Sequence, residues 1–491
     1  LVRQMKTFLI ILAVIAALII ITAIKATLYK QEKPQVTPMP EERVDEERVQ
    51  RHLSQAIAIK TISNPNNSKV DWGEFEKFHD FLEKEYPLTH KTLKREKISQ
   101  AALLYTWQGT NPDLDGIALL SHQDVVPISA GTENDWEHPA FEGYNDGEFI
   151  WGRGALDMKN HLICVMEAVE TLLEEGYTPE RTVYLCFGHN EEIVAGANNG
   201  AHDIMKTLKN RGIRLDSTLD EGGAIIPANV KGILQGNLAG VGIAEKGYAD
   251  FKVTVKAKGG HSSQPPLHTA AGEIADVVKD LENHQFKCEM LPSVFNLFSL
   301  VGKRTSFPAR MIMCNLKILK PVFFAVMKAF PPAATFIRTT TACTMLEASP
   351  AANVLPQNAS VTINFRQLPG TTLKDTEEHI RKVVKNKNIE IELLKGKEAS
   401  KVSPTDTKAF KTIEKLAHQI SNDNIVVPFL VMGGTDSYHY EEITDNLYRF
   451  APFTVDASLM LTTHSTNERI PIAQLKNGVT FFKRYIKEMT K

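Results

Sequence analysis

Cysteine is scarce in this chain of 491 residues: Cys164, Cys186, Cys288, Cys314 and Cys343 make an odd set with no CxxC pair. That argues against a disulfide framework and against a cysteine-ligated metal site. Cys164 and Cys186 lie in apolar runs and read as small buried side chains. Net charge is nearly absent as well, with 56 Lys and Arg against 58 Asp and Glu, a balance of −2. Neither nucleic acid nor any strongly charged partner is indicated. No long internal repeat is found. The Gly-rich turn GGTDS at 433–437 lacks the lysine and spacing of a phosphate loop.

What is present begins with a long apolar run. Residues 7–24, TFLIILAVIAALIIITAI, are long enough to cross a bilayer as a helix. Arg3 and Lys6 precede the run and Lys25 and Lys30 follow it, so flanking charge does not set its orientation. A cleaved signal peptide has a shorter apolar core and a clearer small-residue cleavage site. The expectation is a signal anchor over 1–30 that holds the catalytic part outside the cytoplasm, or a secreted protein if the N-terminus is cleaved. Residues 31–47, Pro-rich and then charged, read as a linker.

From 48 to 246 strand-like and helical patterns alternate. IALLSHQDVVP (117–127) and RTVYLCFGHNEE (181–192) are apolar runs ending in polar residues; MKNHLICVMEAVETLLEEG (158–176) and NNGAHDIMKTLKNRG (198–212) have helical spacing. This predicts an α/β fold, a mostly parallel sheet flanked by helices. The pattern changes near 247, where a β-α-β-β-α-β order predicts an inserted α+β, ferredoxin-like lid domain over 247–397. An apolar insertion sits inside it at about 290–337, and the catalytic domain resumes over 398–491.

In such sheets ligands bind beyond the carboxyl ends of the strands. There the chain places His122, Asp124, Asp157, Glu191, Glu192, Asp220 and Glu221, with His464 in LTTHSTNERIP far downstream. Imidazole and carboxylate donors without thiolates suit Zn²⁺, and Mn²⁺ or Co²⁺ less well. Each residue alone has a plainer reading; Asp157, for example, could be a helix N-cap. The paired glutamates repel one another, and bound cations would offset that repulsion.

SHQDVVP, WGRGALDMK, GHNEEIVAG, LDEGG, GGHSSQPP, INFRQLPG, GGTDS and the late His464 together resemble the di-zinc family of aminoacylases, carboxypeptidase S and succinyl-diaminopimelate desuccinylase. IRTTTA, AEKG, HSSQPP and the apolar insertion look most like its carboxypeptidase S and N-fatty-acyl-amino-acid synthase/hydrolase branch. The resemblance implies a di-zinc aminopeptidase-like fold and two Zn²⁺ per subunit. His122 and Asp220 would bind one ion, with Glu221 the alternative to Asp220. His464 and Glu192 would bind the other, and Asp157 would bridge. Asp124 would accept the free imidazole N–H of His122, and Glu191 would be the general base. His261 would donate to the oxyanion, from a partner subunit if the chain forms a homodimer, with Asn353 assisting. Arg366, Gly434 and Thr435 would hold a substrate carboxylate. His138, His189 and His439 receive no role.

The implied activity is zinc-dependent hydrolysis of the amide bond of N-acyl-amino acids, reversible on a hydrophobic substrate, or of short peptides with a free carboxylate as in a carboxypeptidase. The insertion would then be core packing, an acyl channel or a membrane-surface contact, with Phe323 and Phe324 as the positions at which to place charge.

Overall fold

Seven consecutive buried residues, Gly116–His122, form the central strand of the molecule. A strand buried on both faces reads as a continuous apolar run because helices cover each side. Ile117 and Leu119 face one core with Leu185 and Phe187 of the neighbouring strand, together with the helices Lys159–Glu174 and Ala473–Met489. Ala118 and Leu120 face the other core with Cys186 and the helix Gly200–Asn210, as a period of two requires. The computed structural model describes residues 2–31, 34–193 and 198–491, so residues 194–196 of the GHNEEIVAG motif lie outside it.

The large sheet runs in the order 94–98, 102–107, 183–188, 116–122, 215–220, 447–449, 237–245 and 424–431, with 225–227 pairing beside 237–245. It is mixed and not mostly parallel: four of its pairings are parallel and four antiparallel. Short connections account for part of the difference. Residues 99–101 allow only a hairpin between 94–98 and 102–107, whereas parallel neighbours need a crossover. The parallel centre still aligns the strand ends, with His122 opposite Gly188.

Residues 248–397 contain a second sheet, four antiparallel strands in the order 340–347, 358–366, 248–256 and 389–397. The helices Ala270–Asn283 and Leu373–Val383 belong to it, and Phe251, Val253, Ile274, Ile363 and Ile380 form part of its core. Between 283 and 340 come four helices, Pro292–Gly302, Phe307–Met313, Leu316–Ala329 and Pro331–Ala334. The first packs on the edge strand Asn424–Val431 through Val301, Ile425 and Val427.

Val294, Leu316, Phe323, Met327 and Ile337 give these helices a small core of their own. Phe323 is therefore a buried structural residue, and charge placed there does not test an acyl channel. Truncating a buried Phe costs about 3–5 kcal/mol, which is as much as so small a core supplies. Phe323→Asp is expected to unfold the insertion, read as rapid proteolytic cleavage within residues 290–337 while the rest of the chain stays resistant.

One helix among the described residues, at Arg3–Leu28 with mean hydropathy 3.1, is long and apolar enough to cross a membrane. The segment after it does not run free throughout. Met39 and Val44 pack against the main core, and the Glu42 carboxylate pairs with Lys487 at 2.7 Å and with Lys483 at 3.3 Å.

Candidate metal centre and active-site cleft

His122 ends its strand with Nδ1 donating to the backbone carbonyl of Asp124 at 2.9 Å. That bond occupies Nδ1 and leaves Nε2 facing the cleft. Asp157 lies between two imidazoles: its Oδ1 is 3.1 Å from His122 Nε2 and its Oδ2 is 3.1 Å from His464 Nε2. It is not a helix cap, because the following helix begins at Lys159 with Met158 before it and has no side-chain cap bond.

The loop that presents Asp157 is held from beneath by a residue the sequence reading missed. Glu468 is buried; its Oε1 accepts the backbone N–H of Gly154, Leu156 and Asp157 at 3.0, 2.9 and 3.2 Å, and its Oε2 pairs with buried Arg153 at 2.5 Å. Gly154 has φ +92° in this turn, where a side chain would be strained and would crowd Val125 and Lys159. Breaking a buried ion pair costs about 3–5 kcal/mol. Glu468→Ala is expected to lower stability by about that much in urea titration, and to lower metal occupancy through misplacement of Asp157.

Glu191 and Glu192 follow the strand end across Asn190, which sits at φ +60°. Their two backbone N–H groups donate to the two carboxylate oxygens of Asp124, each at 3.2 Å. Asp124 also remains beside His122, though at a longer distance. Its carboxylate lies 3.6 Å from His122 Nδ1, whose proton goes to the backbone carbonyl instead. Asp124 thus positions the paired glutamates through its side chain and His122 through its main chain.

The strand end at 220 places both of the alternatives. Asp220 is buried, and both its oxygens are taken by backbone N–H groups, of Glu221 at 2.9 Å and of Ser437 at 2.7 Å. Glu221 turns into the cleft instead, its Oε1 3.6 Å from His122 Nε2. Its neighbour's tie to two amides leaves only Glu221 free to reach the imidazole.

Two donor groups result, each compact enough for one ion: His122, Glu191 and Glu221, and His122, Asp157 and Glu192. His464 adds to the second, its Nε2 3.0 Å from Glu192 Oε2. Four carboxylates and two imidazoles crowd together here. Burial pushes Glu191 well above the ordinary carboxylate range; His122 opposes this, and the Glu221, Asp436 and Glu192 carboxylates reinforce it. Burial, followed by Asp157, pushes Glu221 up to about 8. Hydrogen bonds to Asp157 and Glu192 push His464 up to about 10. Carboxylate and imidazole donors crowded in one buried pocket, where the carboxylates hold protons for want of another cation, fit divalent cations.

The cluster floors a cavity of about 600 Å³ whose far wall includes Lys246, Tyr248, Arg366, Lys397, Gly434 and Thr435. Arg366 lies over the Tyr248 ring, 4.6 Å from its centroid, and has no ion-pair partner among the described residues. Thr435 hydrogen-bonds to buried Glu245 at 2.6 Å, and Glu245 also pairs with Arg449 at 2.7 Å and Lys397 at 2.9 Å. Lys246 Nζ donates to the carbonyls of Thr335 and Arg338, and burial, with Arg366 and Arg338 nearby, lowers it to about 7. The cleft lysine Lys246 was legible only as part of the AEKG motif.

His261 and Asn353 do not reach this cavity. Both are exposed: His261 pairs with Val354 on a two-residue ribbon, Asn353 precedes Val354, and the Ser262 N–H donates to the Asn353 carbonyl at 3.2 Å. His439 lines the cavity, where burial lowers it to about 3. His189 is buried against Trp72, and His138 stacks on Tyr144.

Residues 118–488 match the family model described as peptidase family M20/M25/M40. The probable carboxypeptidase S-like 2 of Dictyostelium discoideum is 37% identical over 445 residues, covering 90% of this chain and 85% of its own length. The N-fatty-acyl-amino acid synthase/hydrolase PM20D1 of Xenopus tropicalis is 31% identical over 443 residues, covering 88% and 84%. In fold, the chain is similar to an M20 family metallo-carboxypeptidase from Sulfolobus solfataricus, with TM-score 0.64, 16% identity, and 91% and 99% coverage. The protein belongs to peptidase family M20/M25/M40 and is a metallohydrolase acting on amide bonds.

Proposed function

We propose that this protein hydrolyses the amide bond of N-acyl-amino acids that keep a free carboxylate, with N-fatty-acyl-amino acids as the preferred class. The observation that carries the reading is Arg366, a cation without an ion-pair partner among the described residues, on the cavity wall that also holds Lys246, in a cleft floored by the histidine–carboxylate cluster. A planar guanidinium suits a carboxylate bidentately.

His122, Asp157, Glu192, Glu221 and His464 would hold two zinc ions, with Asp157 shared. When bound, the ions acidify water and polarise the amide carbonyl. Glu191 takes the proton of the attacking water and returns it to the departing amine nitrogen. Asp124 keeps Glu191 and Glu192 in place through their amides, and Glu468 does the same for Asp157. Arg366 anchors the carboxylate, with the Gly434–Thr435 turn beside it. His261 stands outside this chain's cavity, so an oxyanion role belongs to a homodimer in which it serves the other copy. Residues 248–397 act as the lid, and the N-terminal helix anchors the enzyme with its catalytic part outside the cytoplasm.

The similar proteins divide between an acyl-amino acid hydrolase and a carboxypeptidase, and the two chemistries separate on substrate. The zinc-loaded protein is expected to turn over an N-oleoyl-amino acid with higher kcat/KM than an N-blocked Gly-Leu dipeptide, with Glu191→Gln as the blank. The opposite order would assign it to peptide trimming. Equal activity in the Glu191→Gln blank would remove the mechanism itself.

A further inference from the structure

Residues 290–338 contain seven Lys and Arg and no Asp or Glu, in a chain whose net charge is −2. The Leu316–Ala329 helix of this insertion turns Phe323 and Met327 into its small core and its other face outward. Val322, Val326 and Phe330, spaced four apart, are 48%, 48% and 63% exposed. Ile318, across a kink at Leu319, is exposed as well, and exposed Lys317, Lys320 and Lys328 flank the stripe. An apolar stripe bordered by lysines is the pattern of a helix lying in a membrane interface.

The neighbour of this helix says which surface covers the stripe. The N-terminal helix is exposed along most of its length but buries Thr22 and Ala26 near its end. There it packs on the Phe307–Met313 helix of the insertion. Asn315, the residue before the striped helix, donates through Nδ2 to the Thr22 carbonyl at 3.2 Å. The Gln31 N–H donates to the Lys303 carbonyl at 3.1 Å, and the ammonium groups of Lys25 and Lys303 both lie 5.7 Å from the Tyr29 ring centroid. A spanning helix of this length ends at the headgroups, so these ties set the start of the striped helix at the same depth.

We propose that the Leu316–Ala329 helix lies in the surface of the bilayer crossed by the N-terminal helix. Val322, Val326 and Phe330 enter the acyl boundary, and the flanking lysines meet anionic headgroups. The proposal rests on reading the N-terminal helix as a membrane span. It also bears on substrate supply. Lys246 in the cleft wall holds the carbonyls of Thr335 and Arg338 at the end of the same insertion, so a seated insertion brings the cleft to the lipid surface where long-chain acyl compounds partition.

The test uses the full chain in nanodiscs of phosphatidylcholine and phosphatidylserine, with p-benzoylphenylalanine placed singly at Val326, at Ile15 in the N-terminal helix, and at Leu394 on the far edge of the second sheet. Phospholipid should be photolabelled from Ile15 and Val326 and not from Leu394. Omitting phosphatidylserine, or changing Lys317, Lys320 and Lys328 to Gln, should reduce labelling from Val326 about tenfold and leave Ile15 unchanged. Labelling from Ile15 with none from Val326, or crosslinking of Val326 to a second copy, would overturn the docking surface alone. Loss of labelling at both positions would overturn the anchor reading and the proposal with it.

Discussion

On the proposed role of Glu191 as general base, Glu191→Gln is expected to lower kcat by about 10²–10⁴-fold, the usual contribution of such a group, with the bound metal unchanged. Glu191 and Glu192 are consecutive, yet only Glu192 meets His464, at 3.0 Å, while Glu191 groups with His122 and Glu221. A carboxylate surrounded by three others in a buried pocket holds a proton readily, which is what a base must do during the reaction. Glutamine keeps the shape and the Asp124 contact, since that contact is made by the Glu191 main chain. Activity should therefore fall without a change in fold or metal content. Zinc analysis separates this role from ligation, because a ligand lost to Gln would reduce the ion count.

Removal of metal should have the second large effect. In the stripped protein, Asp157, Glu191, Glu192 and Glu221 crowd one buried pocket. A ligand that binds only the folded state adds about 4 kcal/mol when present at about 1,000 times its Kd. Restoring zinc to chelator-stripped protein should raise its melting temperature by several degrees and restore activity from near zero. Glu192→Ala should blunt that rise, since it removes the carboxylate shared with His464. A melting temperature indifferent to zinc would argue that the cluster is held by its own hydrogen bonds.

Much of the site was legible because its residues stand where apolar runs stop. His122, Asp157, Glu191, Glu192 and His464 could be picked out at strand ends and loops, and the structure brings all five together. What could not be read was the orientation of side chains on adjacent residues. Asp220 and Glu221 differ in role because two backbone amides, one of them from distant Ser437, claim the aspartate. Asp124 differs because His122 finds a nearer acceptor in a main-chain carbonyl. Glu468 was invisible for the same reason: its partners are amides more than 300 residues upstream. The alternation of strand and helix gave the α/β class, but periodicity carries no strand direction, so the antiparallel hairpins of the large sheet went unseen. In the insertion, composition alone could not separate Phe323, which is buried, from Val322 beside it, which is not.

The central claim is that a cation on the cavity wall selects substrates by their free carboxylate. It is tested most directly by kcat/KM of the zinc-loaded protein for an N-oleoyl-amino acid and for the same compound with its carboxylate capped as the amide. Capping should cost about ten- to hundredfold, the value of a hydrogen bond to a charged group, and Arg366→Ala should abolish the difference by slowing only the free acid. Equal turnover of the two compounds by the unaltered enzyme would contradict the account.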